Sequence, residues 1–182
     1  SPAGNDILFD ETLCEQGRNF SNKIWNAFRL VNGWQVDNTQ TQTQENQVSV
    51  KWFNNRFNQA FEELNDHYNK YRMSDALMTV YKLIWDDFCS WYLEMIKPAY
   101  QMPIDKVTLE ATIDMFEKLM LILHPFMPFI TEELWQQLRE RNDGESIMIS
   151  KMPESQMYDI NLIKNFDYVR EVISQVRMIR KE

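Results

Sequence analysis

The stretch LHPFMPFITEELWQQL, residues 123–138, places a histidine and two prolines inside an apolar run. Pro125 is predicted to end a helix, because the residue before a proline is biased away from helical geometry, and Pro128 to shape the following turn. Thr131 is predicted to cap the next helix with its hydroxyl. His124 is either a ligand or catalytic base on a rigid loop, or a junction residue that bonds a helix-end carbonyl. The surrounding apolar residues favour a packed corner between two helices.

Helical periodicity continues on both sides of this corner. Apolar residues recur at spacings of three, four and seven, and the chain has only 4 glycines and 6 prolines. No pair of long alternating segments indicates a sheet. The sequence therefore predicts an all-α fold, an antiparallel helical bundle of about five to six helices. Their predicted bounds are 10–36, 48–71, 74–97 with Ser74 as N-cap, 107–123, 131–141 and 161–181.

Two connections lack this periodicity. The segment VDNTQTQTQENQ, residues 36–47, has too few apolar side chains to offset its ordering entropy, and we predict a mobile loop there. In the connection 142–155, the residues IMI could form a short extended piece. The whole chain, residues 1–182, is predicted to be a single domain, because its length suits one ordinary core.

Composition narrows the classes of function. With 19 basic and 27 acidic residues the net charge is −8, which argues against a general nucleic-acid binder but leaves room for a local basic face. No run approaches the roughly 18 apolar residues of a membrane span, and the start SPAGND has no export signal. We therefore expect a cytoplasmic protein with no membrane partner. The lack of an initiator Met suggests a processed chain or an excised fragment.

Catalytic and metal-binding signatures are scarce. The sequence has no phosphate-binding Gly-rich loop, GxSxG, HExxH or CxxC, and two histidines leave few ways to build a catalytic triad. The adjacent acids Asp86 and Asp87 point about 100° apart on a helix, so they cannot share one substrate. Cys14 and Cys89 have no metal-spaced neighbours and are predicted to be buried reduced thiols. We predict no catalytic residue and no metal site.

The first helix carries a polar face rich in amides and basic groups. Its apolar stripe, from Leu13 to Val31, lies within about 40° of Phe20, and the polar residues occupy the opposite side and one flank, at about 160° to 300°. Amide and guanidinium groups beside an aromatic suit single-stranded RNA, whose splayed bases are read by hydrogen bonds and stacking. The alternative is a solvated helix surface. The candidate RNA-binding residues are Arg18, Asn19, Asn22, Lys23, Trp25, Asn26 and Arg29.

The last helix carries a second basic face. Arg170, Arg177 and Lys181 share one side of it by spacings of seven and four, and could grip an RNA backbone. The alternative is an ordinary solvated helix end, since basic residues complement a helix C-terminus.

Three blocks of sequence resemble one known family. They are SPAGNDILFDE with GRNFSNKIWNAFR near the start, DDFCSWYLEMIKP in the third predicted helix, and LHPFMPFITEELW. In this order they resemble the anticodon-binding domain of valyl-tRNA synthetases, which are class I aminoacyl-tRNA synthetases. The resemblance spans nearly the whole chain and implies a helical bundle, in agreement with the periodicity.

The resemblance also implies a division of labour. The chain would bind the anticodon stem-loop of a valine tRNA, while the catalytic domain of the same polypeptide attaches valine with ATP and magnesium. The HIGH and KMSKS signatures of the ATP site are not in this sequence, so no cofactor is expected to bind here. Two alternatives stay open. One is a helical protein-interaction or structural module, and the other is the equivalent domain of another class I synthetase.

Particular roles follow for the first helix from the same resemblance. The anticodon of valine tRNAs carries A in the middle and C at its third position, and the block GRNFSNKIWNAFR would lie toward it. Asn19 or Asn26 would pair with an adenine edge. The basic residues would hold phosphates or accepting groups on cytosine.

Overall fold

The computed structural model describes residues 10–180 as a bundle of six helices, which confirms the predicted all-α class. Helix α3 is one continuous rod with a π-helical middle. A two-stranded parallel sheet, which pairs β1 with β2, is the only sheet in this range. The bounds are α1 Glu11–Asn32, β1 Val36–Asp37, α2 Gln44–Asn69, α3 (Met73–Lys82, π-helical Leu83–Tyr92, Leu93–Ile96), β2 Ile104–Asp105, α4 Lys106–Leu123, α5 Pro128–Leu138 and α6 Ile160–Ile179.

Aromatic side chains of α2 and α3 form the centre of the core. Phe53 of α2 stacks on Tyr92 of α3 with ring centroids 4.8 Å apart, and both are fully buried. Trp52, also fully buried, stacks at 4.0 Å on Phe166 of α6. Such contacts add to the area burial that drives folding. The last helix is therefore fastened to the bundle through α2.

Helix α1 is shorter at both ends than the sequence predicted. The Asp10 carboxylate accepts a bond from the Thr12 N–H at 2.9 Å and caps its first turn. Buried positions begin only at Phe20, so Leu13, predicted to lie in the buried stripe, is 60% exposed. The helix ends at Asn32, and the next three residues lead into β1.

The segment 36–47 has more structure than the predicted loop. Its first two residues form β1, and Gln44–Gln47 belong to α2, whose first turn is capped by the Thr43 hydroxyl. The Asn46 side-chain amide donates to the Asp105 carboxylate at 3.1 Å. The second helix therefore begins four residues before the predicted start. The mobility of residues 38–43 stays a prediction.

In helix α3, one predicted cap is wrong and one predicted end is confirmed. It begins at Met73, so Ser74 lies within the helix and is not its N-cap. It ends at Ile96, two residues before Pro98, as the backbone restriction before a proline requires. The π-helical middle was not predicted, because its buried Ile84, Phe88 and Tyr92 keep the spacing of four that a regular helix also gives.

The corner between α4 and α5 has the predicted place but different hydrogen bonds. Pro128 is the first residue of α5, a favoured position because a missing N–H costs nothing there, so Thr131 lies inside the helix and is not its cap. The Thr131 hydroxyl donates to the Met127 carbonyl at 2.8 Å. It therefore accepts from His124 Nδ1, which lies 2.7 Å away. His124 is a junction residue, but its partner is a hydroxyl and not a helix-end carbonyl.

The connection between α5 and α6 contains the IMI residues. They form a short 3-10 helix, Ile147–Ile149, and not the extended piece that the sequence suggested. The Glu132 carboxylate of α5 accepts from the Ser146 hydroxyl at 2.7 Å and holds this turn against the corner.

Candidate nucleic-acid interface

Four of the seven predicted RNA-binding residues line one open groove between α1 and α3. This groove has a volume of about 360 Å³. Its α1 side is built from positions at spacings of three and four, which places them along one flank of the helix beside the buried stripe. We call it the amide groove, and its lining residues are Asn19, Asn22, Lys23, Asn26, Ala27, Leu30, Cys89 and Leu93.

Lys23 is held against the wall of the amide groove by the π-helical part of α3. Its ammonium donates to the Ser90 hydroxyl at 3.1 Å and lies 4.5 Å from the centre of the Trp85 ring. Ser90 in turn donates to the Trp85 carbonyl, five residues back, a spacing that the π-helical turn brings into reach. The cation therefore has a defined position, and it retains donor capacity for a ligand.

The other three predicted residues lie outside this groove. Arg18 is exposed and pairs loosely with Glu15 at 4.0 Å, a kind of surface pair that contributes little to stability. Trp25 is 38% exposed, and its ring centre lies 5.9 Å from that of Phe28 on the same helix. Arg29 is exposed. These three residues are exposed, and a ligand in the groove would meet them only if it extended around α1.

The charge of the amide groove differs from that of the chain. The net charge of the chain is −8, yet none of the residues that line this groove in the described range is acidic. Three side-chain amides and one cation surround an aliphatic floor. Amides present donors and acceptors together, and they can match the edges of nucleobases, while a lysine neutralises a phosphate.

Cys89 forms part of the groove floor and is chemically quiet. Burial raises the pKa of its thiol to about 12, and the nearby ammonium of Lys23 offsets only part of this effect. The neutral thiol is a poor nucleophile and a poor metal ligand. The prediction of two buried thiols is wrong for Cys14, which is exposed on the first turns of α1.

Sequence reasoning missed the α3 side of the groove. Ser90, Cys89 and Leu93 were not among the predicted site residues, although they lie within the block DDFCSWYLEMIKP, which carries the family resemblance. A helical projection of α1 alone could not show which α3 residues face it. The resemblance was the one available signal for this wall.

Of the second predicted basic face, on α6, Arg170 is directed into the protein and Arg177 is exposed. Arg170 donates to one oxygen of the buried Asp87 at 2.7 Å, and Arg56 of α2 donates to the other at 2.8 Å. The guanidinium carbons of Arg170 and Arg177 lie 5.1 and 5.4 Å from the centre of the Trp91 ring. Arg170 is therefore engaged by a buried carboxylate, and a grip of this face on an RNA backbone stays a prediction. Lys181 lies outside the described residues.

Other kinds of site find little support between residues 10 and 180. No group of three or more His, Cys, Asp or Glu side chains in that range is arranged to hold a metal ion. None of the helices described is both long enough and apolar enough to cross a membrane.

Comparison with known proteins shows the family of the chain and which wall of the amide groove the family match includes. Residues 50–182 match the family described as "Anticodon-binding domain of tRNA ligase". The chain belongs to this family. The matched residues include the α3 wall of the amide groove, whereas α1 precedes them. As a member of the anticodon-binding domain family, the chain has the expected bundle of helices.

Individual relatives of this anticodon-binding domain match over its whole length, α1 included. The chain is 57% identical to a valine–tRNA ligase of Parabacteroides distasonis, over 99% of this chain and 21% of that protein. It is 56% identical to a valine–tRNA ligase of Porphyromonas gingivalis over 99% of this chain and 20% of that one. A valine–tRNA ligase of Christiangramia forsetii is 52% identical over 100% and 21%. The chain thus spans about a fifth of the length of these relatives.

Proposed function

We propose that this chain binds the anticodon loop of a valine tRNA within a cytoplasmic valine–tRNA ligase. The observation that carries the proposal is the amide groove, which brings Asn19, Asn22, Lys23 and Asn26 together without an acid among the described lining residues. A polyanion would be repelled by most of a chain with net charge −8. It would find in this groove a fixed cation and three amides.

The proposed contacts divide into two kinds. Asn19 and Asn26 would pair with base edges, because one amide offers both a donor and an acceptor to the same base. Lys23 would hold a phosphate or an accepting group on a base, in the position that Ser90 and Trp85 give it. Arg18, Trp25 and Arg29 would extend the contact around α1 to the flanking nucleotides.

The reaction itself would take place elsewhere in the polypeptide. A catalytic domain linked to this chain would bind ATP and magnesium, activate valine and transfer it to the tRNA. In this arrangement the amide groove selects and orients the tRNA. It contributes to the affinity for tRNA and not to the activation of valine.

Kinetics of the complete protein test this division. We expect Lys23→Ala and Asn26→Ala to raise the KM for tRNA about tenfold, as the loss of one charge-assisted or base-reading contact does, and to leave valine-dependent ATP–pyrophosphate exchange unchanged. Lys118→Ala is the matched control, because this lysine also lies over an aromatic ring, that of Phe57 at 5.9 Å, but outside the groove. Equal losses in both reactions would contradict the proposal.

Exchange of transcripts tests the identity of the RNA. The complete protein should bind a valine tRNA transcript more tightly than the same transcript with a changed middle anticodon base. Equal affinity for both at low salt would favour a protein-interaction or structural module. Preference for the transcript of a different amino acid would assign the chain to another class I synthetase.

A further inference from the structure

A second recess adjoins the amide groove at Leu30. It has a volume of about 760 Å³ and lies between the end of α1 and the loop 97–102 that follows α3. We call it the aromatic recess, because Trp34 and Tyr100 are among its lining residues. Leu30 lines both cavities, so a ligand that fills one can continue into the other without leaving the surface.

We propose that the aromatic recess holds one unpaired nucleotide of the same RNA loop, with its base stacked on Tyr100. This inference rests on the proposed function of the amide groove. The two cavities have complementary chemistry. None of the described residues that line the amide groove is aromatic, so that groove can bond base edges but cannot stack a base. The adjoining aromatic recess offers rings on which a base can stack. Recognition of single-stranded RNA uses both hydrogen bonds to base edges and stacking.

The position of Tyr100 is imposed by the backbone around it. The loop is closed by a bond from the Met102 N–H to the Ala99 carbonyl at 2.9 Å, and it leads into β2, where the Ile104 N–H donates to the Gln35 carbonyl at 2.8 Å. Gln101 has a φ of 62°, a left-handed conformation that costs energy in a residue other than glycine. The backbone of this loop therefore has a defined course on both sides of Tyr100.

The loop leaves its aromatic ring open to a ligand. Tyr100 is 90% exposed and Met102 is 60% exposed, while Trp34 behind them is half-buried. A tyrosine ring that projects from an anchored loop loses little conformational freedom when a base stacks on it. The ring is therefore available to a base before the RNA arrives.

The charge of the aromatic recess suits RNA as well. No acidic residue lines it in the described part of the chain, and Lys97 is its one charged lining residue. The Lys97 ammonium contacts the exposed Glu94 carboxylate at 2.8 Å, a surface pair that a phosphate can replace at little cost. Both cavities along α1 thus lack acids in a chain of net charge −8.

The experiment uses the complete protein and a valine tRNA transcript with a fluorescent base analogue at one loop position at a time. Binding should quench one of these analogues through stacking on Tyr100. We expect Tyr100→Ala to raise the Kd about tenfold and to abolish the quenching at that one position. Tyr100→Phe should keep both the affinity and the quenching, because the ring is retained.

Tyr71→Ala is the matched control. Tyr71 is also 90% exposed and also has a positive φ, of 57°, but it lies at the other end of α3, roughly 36 Å away along that helix. Its replacement should leave the Kd within about twofold of the wild-type value, as expected of a surface substitution that touches no ligand.

Four outcomes would overturn the inference. The first is that Tyr100→Ala and Tyr71→Ala have the same Kd while Lys23→Ala still weakens binding. In that case the proposed function of the amide groove would stand and only this inference would fail. The second is an equal loss of affinity in Tyr100→Phe, because the ring would then not be the contact. The third is a lower Tm of the RNA-free protein with unchanged Kd, since the ring would then contact another part of the polypeptide. Failure of the wild-type protein to bind any transcript removes the proposed function and this inference together.

Discussion

Helices α1 and α6 both display basic side chains, and the structure uses them in opposite ways. On α1, Lys23 faces an open groove that has no acidic lining residue in the described range. On α6, Arg170 points inward to the buried carboxylate of Asp87, which it shares with Arg56 of α2. In sequence the two helices look alike. Their roles differ because one faces a cavity and the other faces a buried acid.

The difference shows what the charge pattern of a helix can establish. Periodicity tells which residues share a face of a helix. It does not tell whether a basic side chain on that face forms an ion pair with an acid from a distant part of the chain. Asp87 lies 83 residues before Arg170 in the chain, and no local pattern links the two. The same π-helical stretch of α3 supplies Asp87 on the α2 and α6 side and Ser90 on the α1 side.

The largest effect is expected at Asp87. Its replacement by alanine leaves Arg56 and Arg170 facing each other, with side chains that are only 28% and 21% exposed and have lost the carboxylate that they share. We expect the free energy of unfolding to fall by about 3 kcal/mol, as measured by urea denaturation. Asp86→Ala is the matched control, because Asp86 is adjacent and exposed. Similar losses for both variants would show that the charge cluster is not what fastens α6.

A smaller effect is expected at Arg170. Arg170→Ala removes one donor from Asp87 and the stacking over Trp91, but Arg56 still neutralises the carboxylate. The free energy of unfolding should fall by about 2 kcal/mol, while the Kd for a valine tRNA transcript should stay within about twofold. Lys23→Ala should show the reverse, with weaker RNA binding and unchanged stability. A tenfold rise in Kd for Arg170→Ala would mean that α6 does contact RNA.

The sequence predicts the helices well where apolar side chains define them. Helix α4 was predicted as 107–123 and spans Lys106–Leu123, because its apolar residues are packed along nearly its whole length and Pro125 marks its end. The start of α2 was missed because its first turn is polar and depends on the Thr43 hydroxyl. The start of α5 was missed because Pro128 was taken for a turn residue and not for the first residue of a helix.

The candidate site was predictable on one side only. A rotation of 100° per residue brings Asn19, Lys23 and Asn26 to one flank of α1 without any knowledge of the fold. The opposite wall depends on how α3 packs against α1, and its π-helical turn has no distinct spacing in the sequence. The aromatic recess needs the pairing of β1 with β2, whose two-residue strands are too short to show alternation.

The smallest effect is expected from a change of pH. It concerns Cys89 in the floor of the amide groove and not the charge cluster around Asp87 on the same helix. Burial raises the pKa of the Cys89 thiol to about 12, from 9.0 for a solvated thiol. The unfolded chain therefore releases the proton first, so the stability that Cys89 contributes is complete below about pH 9 and is lost as the pH rises toward 12.

Urea denaturation of the wild-type chain and of Cys89→Ala, at pH 8 and at pH 10, measures this contribution. The difference in unfolding free energy between the two proteins should shrink by about 1 kcal/mol between these pH values. Cys14→Ala is the control, since an exposed thiol meets the same solvent in the folded and unfolded chain. A difference for Cys89→Ala that stays constant with pH would mean that water reaches this thiol from the amide groove. The floor of the groove would then be polar, and it would suit a hydrated contact with RNA better than a packed one.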